Sequence, residues 1–300
     1  MTERISISMI VKNESSCIEK CLESVKDADE IIVVDTGSED NTIELVKKYT
    51  DKVYFGKEYD WRDDFAFSRN QSLEKCSGDW ILIIDADEEL EKDGIQKIRE
   101  LIKNLKEDTV FFKTTGINDH RHVHNSIRLF KNNKGIKWHG KIHNYLSVGT
   151  GYNSDIKLYY GYSNAHKKDP DRAFRILGKV VIENPECVRE KFYLAREYWY
   201  RKKYKTAIFW YEEYLKTAYF GAEMADAHMM LAYCYRNINN YVKAREHCLQ
   251  AIALNTNFKE ALLFMESISG PGNAKRWREW ANTATNEGVL FVRTETGEKK

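Results

Sequence analysis

Gly78-Asp79-Trp80-Ile81-Leu82-Ile83-Ile84-Asp85-Ala86-Asp87-Glu88 is the stretch on which the fold turns. The unbroken apolar run from Trp80 to Ile84 suits a strand covered on both faces, as in the middle of a parallel sheet. It opens directly into two aspartates separated by one alanine. In open α/β sheets ligands lie outside the carboxyl ends of the strands, so these carboxylates stand where chemistry is done.

Upstream the same rhythm recurs. Ile5-Ser6-Ile7-Ser8-Met9-Ile10-Val11 reads as the first strand, then Ser15 as the cap of a helix whose Ile18, Leu22 and Val25 share one face. Ile31 to Val34 is a second strand, ending in the turn Asp35-Thr36-Gly37-Ser38. A helix over 41–49, a strand over 53–55 and a helix over 65–75 follow. Strands alternating with helices imply an α/β domain with a mostly parallel sheet. Downstream, 110–115 and 127–130 read as short strands, with Asn132-Asn133-Lys134-Gly135 as a hairpin turn before 136–138, an antiparallel appendix to the sheet.

From Asp169-Pro170 the chain turns helical as far as Thr283, and that half repeats itself. Leu194-Ala195 and Leu231-Ala232, Tyr198 and Tyr235, Tyr204 and Tyr241, Ala207 and Ala244 recur at an offset of 37 residues. Small alanines where helices approach, with aromatics at the turns, are what stacked helix pairs of tetratricopeptide type need. Ala173 precedes Ala207 by 34, marking an earlier partial unit, and an insertion near Tyr219-Phe220-Gly221 accounts for the longer spacing. The pair 258–267 and 274–283 closes the stack. The expected organisation is an α/β domain over 1–165, helical repeats over 166–285 and a polar tail over 286–300.

Forty-seven basic against 46 acidic residues leave a net charge of +1, so no global field exists to hold a nucleic acid or an anionic membrane. No stretch approaches the roughly 20 apolar residues a bilayer span needs. The start lacks a signal-peptide pattern, which points to the cytoplasm. The six cysteines form no CxxC pair and read as reduced, buried thiols.

Three polar clusters fall at strand ends: Lys12-Asn13-Glu14, Asp35-Thr36-Gly37-Ser38 and Asp85-Ala86-Asp87. Hard carboxylate oxygens suit Mg²⁺ or Mn²⁺, which also take diphosphate oxygens. In that role Asp87 touches the metal, and Asp85 meets a ribose or holds metal-bound water. Together, Ile7-Ser-Met-Ile-Val-Lys-Asn-Glu14, Ile31-Ile-Val-Val-Asp-Thr-Gly-Ser38, Ser68-Arg-Asn-Gln-Ser-Leu73 and the 78–88 stretch resemble the successive signatures of bacterial family 2 glycosyltransferases of GT-A fold. The resemblance covers about residues 5–145. With helical repeats attached, the chain is similar to the branch that modifies peptides or proteins, such as sublancin-type S-glycosyltransferases and flagellin-modifying enzymes.

The resemblance implies an inverting hexosyltransferase that moves a sugar from a nucleotide-sugar, a UDP-sugar foremost, to a Ser, Thr or Cys side chain. Asp35 matches the aspartate that binds the nucleobase, and Asn13 and Glu14 line the same end. Arg69 either contacts the nucleotide or pairs with an acidic neighbour. Many relatives carry a second acidic residue where this chain has Thr36. Trp138-His-Gly-Lys-Ile-His143 resembles a further stretch of the same branch; His143 completes the metal's ligands, serves as base on the acceptor, or is structural. His120, His122 and His124 alternate and, with Asp119 and Arg121, either line the acceptor cleft or form a solvated loop. Asp119 and His143 are the candidate general bases. The repeats would present a surface to the acceptor protein or to a second copy. A lipid-linked or polysaccharide acceptor is the alternative within the family. From other classes, a nucleotidyltransferase needs a glycine-rich loop, yet 11–16 holds no glycine, and a repeat scaffold leaves Asp85 and Asp87 without a role.

Overall fold

The computed structural model describes residues 3–161, 163 and 169–291, apart from the side chains of 119–122. The chain divides into two compact units, 1–172 and 173–300.

The first unit is built on one eight-stranded sheet of order β3-β2-β1-β4-β7-β6-β10-β5. Its strands are β1 Ile5–Val11, β2 Glu30–Asp35, β3 Val53–Tyr54, β4 Trp80–Ile83, β5 Glu88–Leu90, β6 Thr109–Gly116, β7 Asp119–Lys131 and β10 Tyr152–Tyr160. β3, β2, β1 and β4 run parallel, whereas β7 is antiparallel to both β4 and β6. Together with the tetratricopeptide region, this is the expected combination of a GT-A-type α/β domain and helical repeats.

Strand periodicity explains which side chains meet which layer. Ile5, Ile7, Met9 and Val11 of β1 point to one face, where they pack with Trp80 and Leu82 of β4 and with helices α1 Ile18–Val25 and α4 Gly94–Ile102. Ser6 and Ser8 point to the other. There Ser8 and Ser72 join their hydroxyls at 2.8 Å, and the Met9 amide donates to Ser72 Oγ at 3.1 Å, fixing helix α3 Phe65–Lys75 across β1. Of the two serines that interrupt the apolar first strand, Ser8 is therefore the seat of α3, while Ser6 donates to Glu30 and accepts from the Gly78 amide. Ile81, Ile83 and Phe130 complete the second core with Leu73 and Leu146.

Several local expectations change. Ser15 does not cap α1: its hydroxyl donates to Asp40 at 2.7 Å, and Cys17 holds the cap position without a side-chain bond. The second helix is short, α2 Thr42–Val46. Helix α4 was not anticipated, although Ile95, Ile98 and Ile102 recur at helical spacing and are all buried. Asn132 to Gly135 does not close a hairpin with the main sheet. Lys131 instead pairs with Trp80, and β8 Trp138–His139 pairs with β9 Tyr145–Leu146 as a separate two-stranded sheet. Residues 119–126 belong to strand β7 rather than to a solvated loop.

The second unit holds α5 Arg172–Glu183 from its second residue on, then α6 Arg189–Tyr200, α7 Tyr204–Leu215, α8 Gly221–Asn237, α9 Tyr241–Leu254, α10 Lys259–Ser267 and α11 Pro271–Thr283. Ala195, Ala207, Ala232 and Ala244 are fully buried, as close helix approach demands. Helices α7 and α9 both open on the tyrosine of the repeat, and the added length lies in α8, which has 17 residues against 12 in α6. All six cysteines are free, four of them buried. Among the described residues, no helix is long and apolar enough to cross a membrane.

Candidate active site

Parallel register brings three strand ends to one edge. Val11 stands beside Asp35, and the Ile84 amide donates to Ser8 O at 3.3 Å, so the segments after β1, β2 and β4 emerge together. Between them opens a cavity of about 320 Å³, lined by Lys12, Asn13, Glu14, Thr36, Trp61, Phe65, Arg69, Asp85, Asp87, Asp169 and Arg172 among others, all within the first unit. This volume is at the lower end of that usual for small-molecule sites.

Each wall has a local cause. Asn13 adopts a left-handed φ of 57°, a conformation asparagine tolerates, and is held there by its amide on Ser38 Oγ at 2.9 Å and its Oδ1 on the Glu39 amide at 2.8 Å. Glu14 accepts from the Cys17 thiol at 3.3 Å and from the Ser163 hydroxyl. Burial, then the Glu14 carboxylate, pushes the Cys17 thiol up to about 12, so it stays protonated. Thr36 ties its hydroxyl to Val11 O at 3.1 Å, bracing β2 against β1. Asp35 is 2% exposed. Its Oδ2 accepts from the amides of Gly37 and Ser38, both at 3.0 Å, while Oδ1 is buried with no hydrogen-bond partner among the described residues. A buried acceptor left over is costly, and an incoming N–H would satisfy it.

On the opposite wall, α3 joins two sequence motifs that lie far apart in the chain. Asn70 donates to Trp138 O at 3.0 Å and accepts from the Trp138 amide at 2.9 Å, locking β8 against the helix. One residue away, the Arg69 guanidinium lies 4.6 Å over the Trp138 ring and donates to Asp85 Oδ1 at 2.7 Å. Arg69 thus does pair with an acidic neighbour, and that neighbour is a residue of the cavity. Its Nε is buried without a partner among the described residues. Trp61 and Phe65 meet edge to face at 4.6 Å, and Arg172 lies 5.0 Å over the Phe65 ring.

The Asp85-Ala86-Asp87 turn rests on Glu88, a residue without an expected role. Glu88, 4% exposed, accepts from the Asp85 amide at 2.9 Å and takes a two-pronged hydrogen bond from Arg128 of β7 at 2.8 and 2.7 Å. Burial pushes its carboxyl above the ordinary glutamate range, with Arg128 opposing and the nearby Asp85 and Asp87 charges adding to the rise. From the other side, Gly161 donates to Asp87 O at 2.7 Å, and the Ser163 amide reaches Asp87 Oδ2 at 3.1 Å. A Cβ at Gly161 would stand 2.9 Å from that same carbonyl, so glycine permits the approach.

The expected ligand set of Asp85, Asp87 and His143 is not assembled. His143 is exposed at a φ of 47° in the turn between β8 and β9 and does not line the cavity. Among the described residues no three His, Cys, Asp or Glu side chains stand together so as to hold a metal. Asp119 opens β7, but its side chain lies outside the described residues, as do those of His120, Arg121 and His122. His124 is exposed, its ring 6.3 Å from that of Tyr160. Trp61, Phe65, Asp169, Arg172 and the Glu88–Arg128 pair were given no role in the site from the sequence. A carboxylate in a strand-end turn signals a need for a cation, but only the sheet shows that the cation sits 40 residues on.

The family model described as Glycosyl transferase family 2 matches residues 6–158, just over half the chain. The chain belongs to glycosyl transferase family 2. A tetratricopeptide repeat model matches residues 225–262 of the transferase. Among its relatives is the SPbeta prophage-derived glycosyltransferase SunS of Bacillus subtilis (strain 168), 30% identical over 289 residues, which cover 89% of this chain and 63% of SunS. The transferase therefore spans less than two thirds of that relative's length. The lipopolysaccharide core biosynthesis glycosyltransferase LpsC of Rhizobium meliloti (strain 1021) is 39% identical over 104 residues, 34% of this chain and 36% of LpsC. The structure of S. aureus TarS 1-349 in complex with UDP is similar over 82% of this chain and 91% of that one, with 15% identity and a TM-score of 0.46.

Proposed function

We propose that the transferase moves a hexose from a nucleotide-sugar, UDP-linked, to a Ser, Thr or Cys side chain of a peptide or protein, with inversion at the anomeric carbon. The observation that carries this reading is the cavity at the strand ends, whose lining includes Asn13, Glu14, Thr36, Asp85 and Asp87, with the unsatisfied Oδ1 of Asp35, itself outside the lining, in the residue before Thr36. Uracil offers an N–H that matches Asp35 Oδ1, while Asn13 and Glu14 form the same end. Arg69, stacked and hydrogen-bonded in place, supplies fixed positive charge where a nucleotide's phosphates would lie.

Carboxylates facing a space for a diphosphate are a fitting donor set for Mg²⁺ or Mn²⁺, which keep several positions for water and phosphate. Asp87 would hold the ion, with Asp85 acting directly or through water and His143 joining only if its turn moves inward. Once bound, the ion neutralises charge on the leaving diphosphate. The acceptor oxygen or sulfur forms a bond to the anomeric carbon as the bond to diphosphate oxygen breaks. The acceptor's proton passes to Asp119, or to His143 if its turn moves inward, and the nucleoside diphosphate departs with the electron pair.

A peptide acceptor is favoured over a lipid-linked core because the likeness to SunS runs through the repeats, whereas the likeness to LpsC spans about a third of the chain. Cytoplasmic residence and a homodimer through the repeats belong to the same proposal. The test is hydrolysis of a panel of UDP- and GDP-sugars with Mn²⁺, reading released nucleoside diphosphate from the wild type and from Asp87→Ala. Metal-dependent release from one donor, reduced at least about 100-fold in the variant, is expected. No turnover, together with no UDP binding by calorimetry, would overturn the reading.

A further inference from the structure

Arg69 is held from two sides. Its guanidinium lies over the Trp138 ring, and Asn70, the next residue of α3, is bonded to the Trp138 backbone, so the cation and its aromatic floor are fixed to the same helix. The Arg69 side chain is 19% exposed, its Nε is buried without a partner, and a terminal nitrogen donates to Asp85 Oδ1 at 2.7 Å. Among the described residues Asp85 is the one hydrogen-bond partner of this guanidinium. Asp85 is the more accessible member of the pair, with 39% of its side chain exposed, and it stands in the turn that faces the cavity.

The pair opposes a metal that arrives alone. A divalent ion drawn to Asp85 meets a carboxylate already neutralised, and taking Oδ1 strips a largely buried cation of its partner, which is strongly unfavourable. A diphosphate supplies the replacement, because the guanidinium fork matches phosphate oxygens. A diphosphate that arrives alone is opposed in turn, since four carboxylates stand against three cations among the described residues of the lining. Mg²⁺ and Mn²⁺ relieve that excess, and they are held by one or two carboxylates together with substrate phosphates rather than by a cage of protein ligands.

We propose that Arg69 makes metal binding depend on the nucleotide: it keeps Asp85 in an ion pair until nucleotide phosphates take over the guanidinium and release the carboxylate towards the ion. By linkage, nucleotide and metal each raise the affinity for the other by the same factor, and the Arg69–Asp85 exchange supplies part of that factor. The inference rests on the nucleotide-sugar reading of the cavity and adds to it the residue that couples the two ligands.

The test titrates Mn²⁺ into the full chain with and without saturating UDP and follows the free ion by electron paramagnetic resonance. Wild type is compared with Arg69→Met, which keeps an apolar stem over Trp138, and with Lys12→Gln, which removes an exposed cavity charge that does not pair with Asp85. Without UDP, Arg69→Met should bind Mn²⁺ about tenfold more tightly than the wild type, and its further gain on adding UDP should be about tenfold smaller, the size of one hydrogen bond to a charged group. Lys12→Gln should change the affinity for Mn²⁺ alone by no more than about threefold, as expected of an exposed charge. Equal or weaker Mn²⁺ binding by Arg69→Met without UDP overturns the proposal. An equal gain in Lys12→Gln also overturns it, by assigning the effect to loss of any cavity charge. UDP binding with unchanged coupling removes only this role of Arg69, whereas a wild type that binds neither UDP nor Mn²⁺ removes the nucleotide-sugar reading with it. If Arg69→Met does not melt cooperatively, Arg69→Lys, which keeps the charge and loses the fork, takes its place, with the same direction expected and the same result refuting it.

Discussion

Under the proposed function, Asp35→Asn should separate nucleobase recognition from folding. The two turn amides of Gly37 and Ser38 need one acceptor oxygen, which asparagine retains. The oxygen exchanged is Oδ1, the buried acceptor left without a partner. With an amide NH₂ in its place, the N3–H of uracil meets a donor, whereas N3 of cytosine, an acceptor, meets a match. A hydrogen bond to a charged group contributes about 1.5–3 kcal/mol. At about 1.4 kcal/mol per decade, UDP binding should weaken roughly 10- to 100-fold. CDP, poor in the wild type, should approach or overtake UDP in the variant. Calorimetric titration of UDP and CDP into both proteins, with circular dichroism melts to show intact folding, measures this directly. A folded variant that binds UDP as tightly as the wild type refutes the assignment of Asp35 to the base.

Two further predictions concern buried charges. Arg128→Met leaves Glu88 buried and unpaired, which should cost about 3–5 kcal/mol in urea unfolding, and adding Glu88→Leu should recover part of that loss; a single variant within 1 kcal/mol of wild type, a threshold of roughly the size of one ordinary hydrogen bond, would contradict the pairing. At Glu30, burial raises the carboxyl, but bonds from Lys52, Ser6 and Ser77 outweigh it and hold the group down to about 2, against an ordinary 4.5. A depressed acid stabilises the fold above its unfolded value and loses that contribution as pH falls through the folded one. Roughly 3 kcal/mol should therefore be present at neutral pH and vanish between about pH 4.5 and 2. Glu30→Gln should show a stability deficit at neutral pH that closes over this window in denaturant titrations; a deficit independent of pH would count against the ion-pair account.

Long-range pairing is where sequence and structure part. The parallel core was legible because β2 and β4 carry continuous apolar runs and β1 is apolar apart from Ser6 and Ser8, and α3 was read with its observed bounds, Phe65–Lys75. The repeats were legible because burying alanines at Ala195, Ala207, Ala232 and Ala244 imposes a period. Strand β7 was underread, since its polar first half has no apolar alternation and is held by pairing to β6. Ser15 looked like a cap by residue type, yet Asp40, brought close by the neighbouring loop, offered its hydroxyl another acceptor.

For the candidate site, the strand-end carboxylates were legible from the chain because a parallel sheet sends its strand ends to one edge, whereas the proposed base-binding role of Asp35 came from the resemblance to family 2 glycosyltransferases. Which partners those residues keep was decided by tertiary structure. Arg69 stacks on Trp138 because Asn70 bonds to that tryptophan's backbone, 68 residues away. Glu88 can be buried only because β7 inserts beside β4 and delivers Arg128. His143, suggested by the resemblance of the Trp138–His143 stretch to the family, sits in the turn of a separate two-stranded sheet and does not line the cavity. Local chemistry marks which groups are able to act; the pairing of distant strands determines which of them meet.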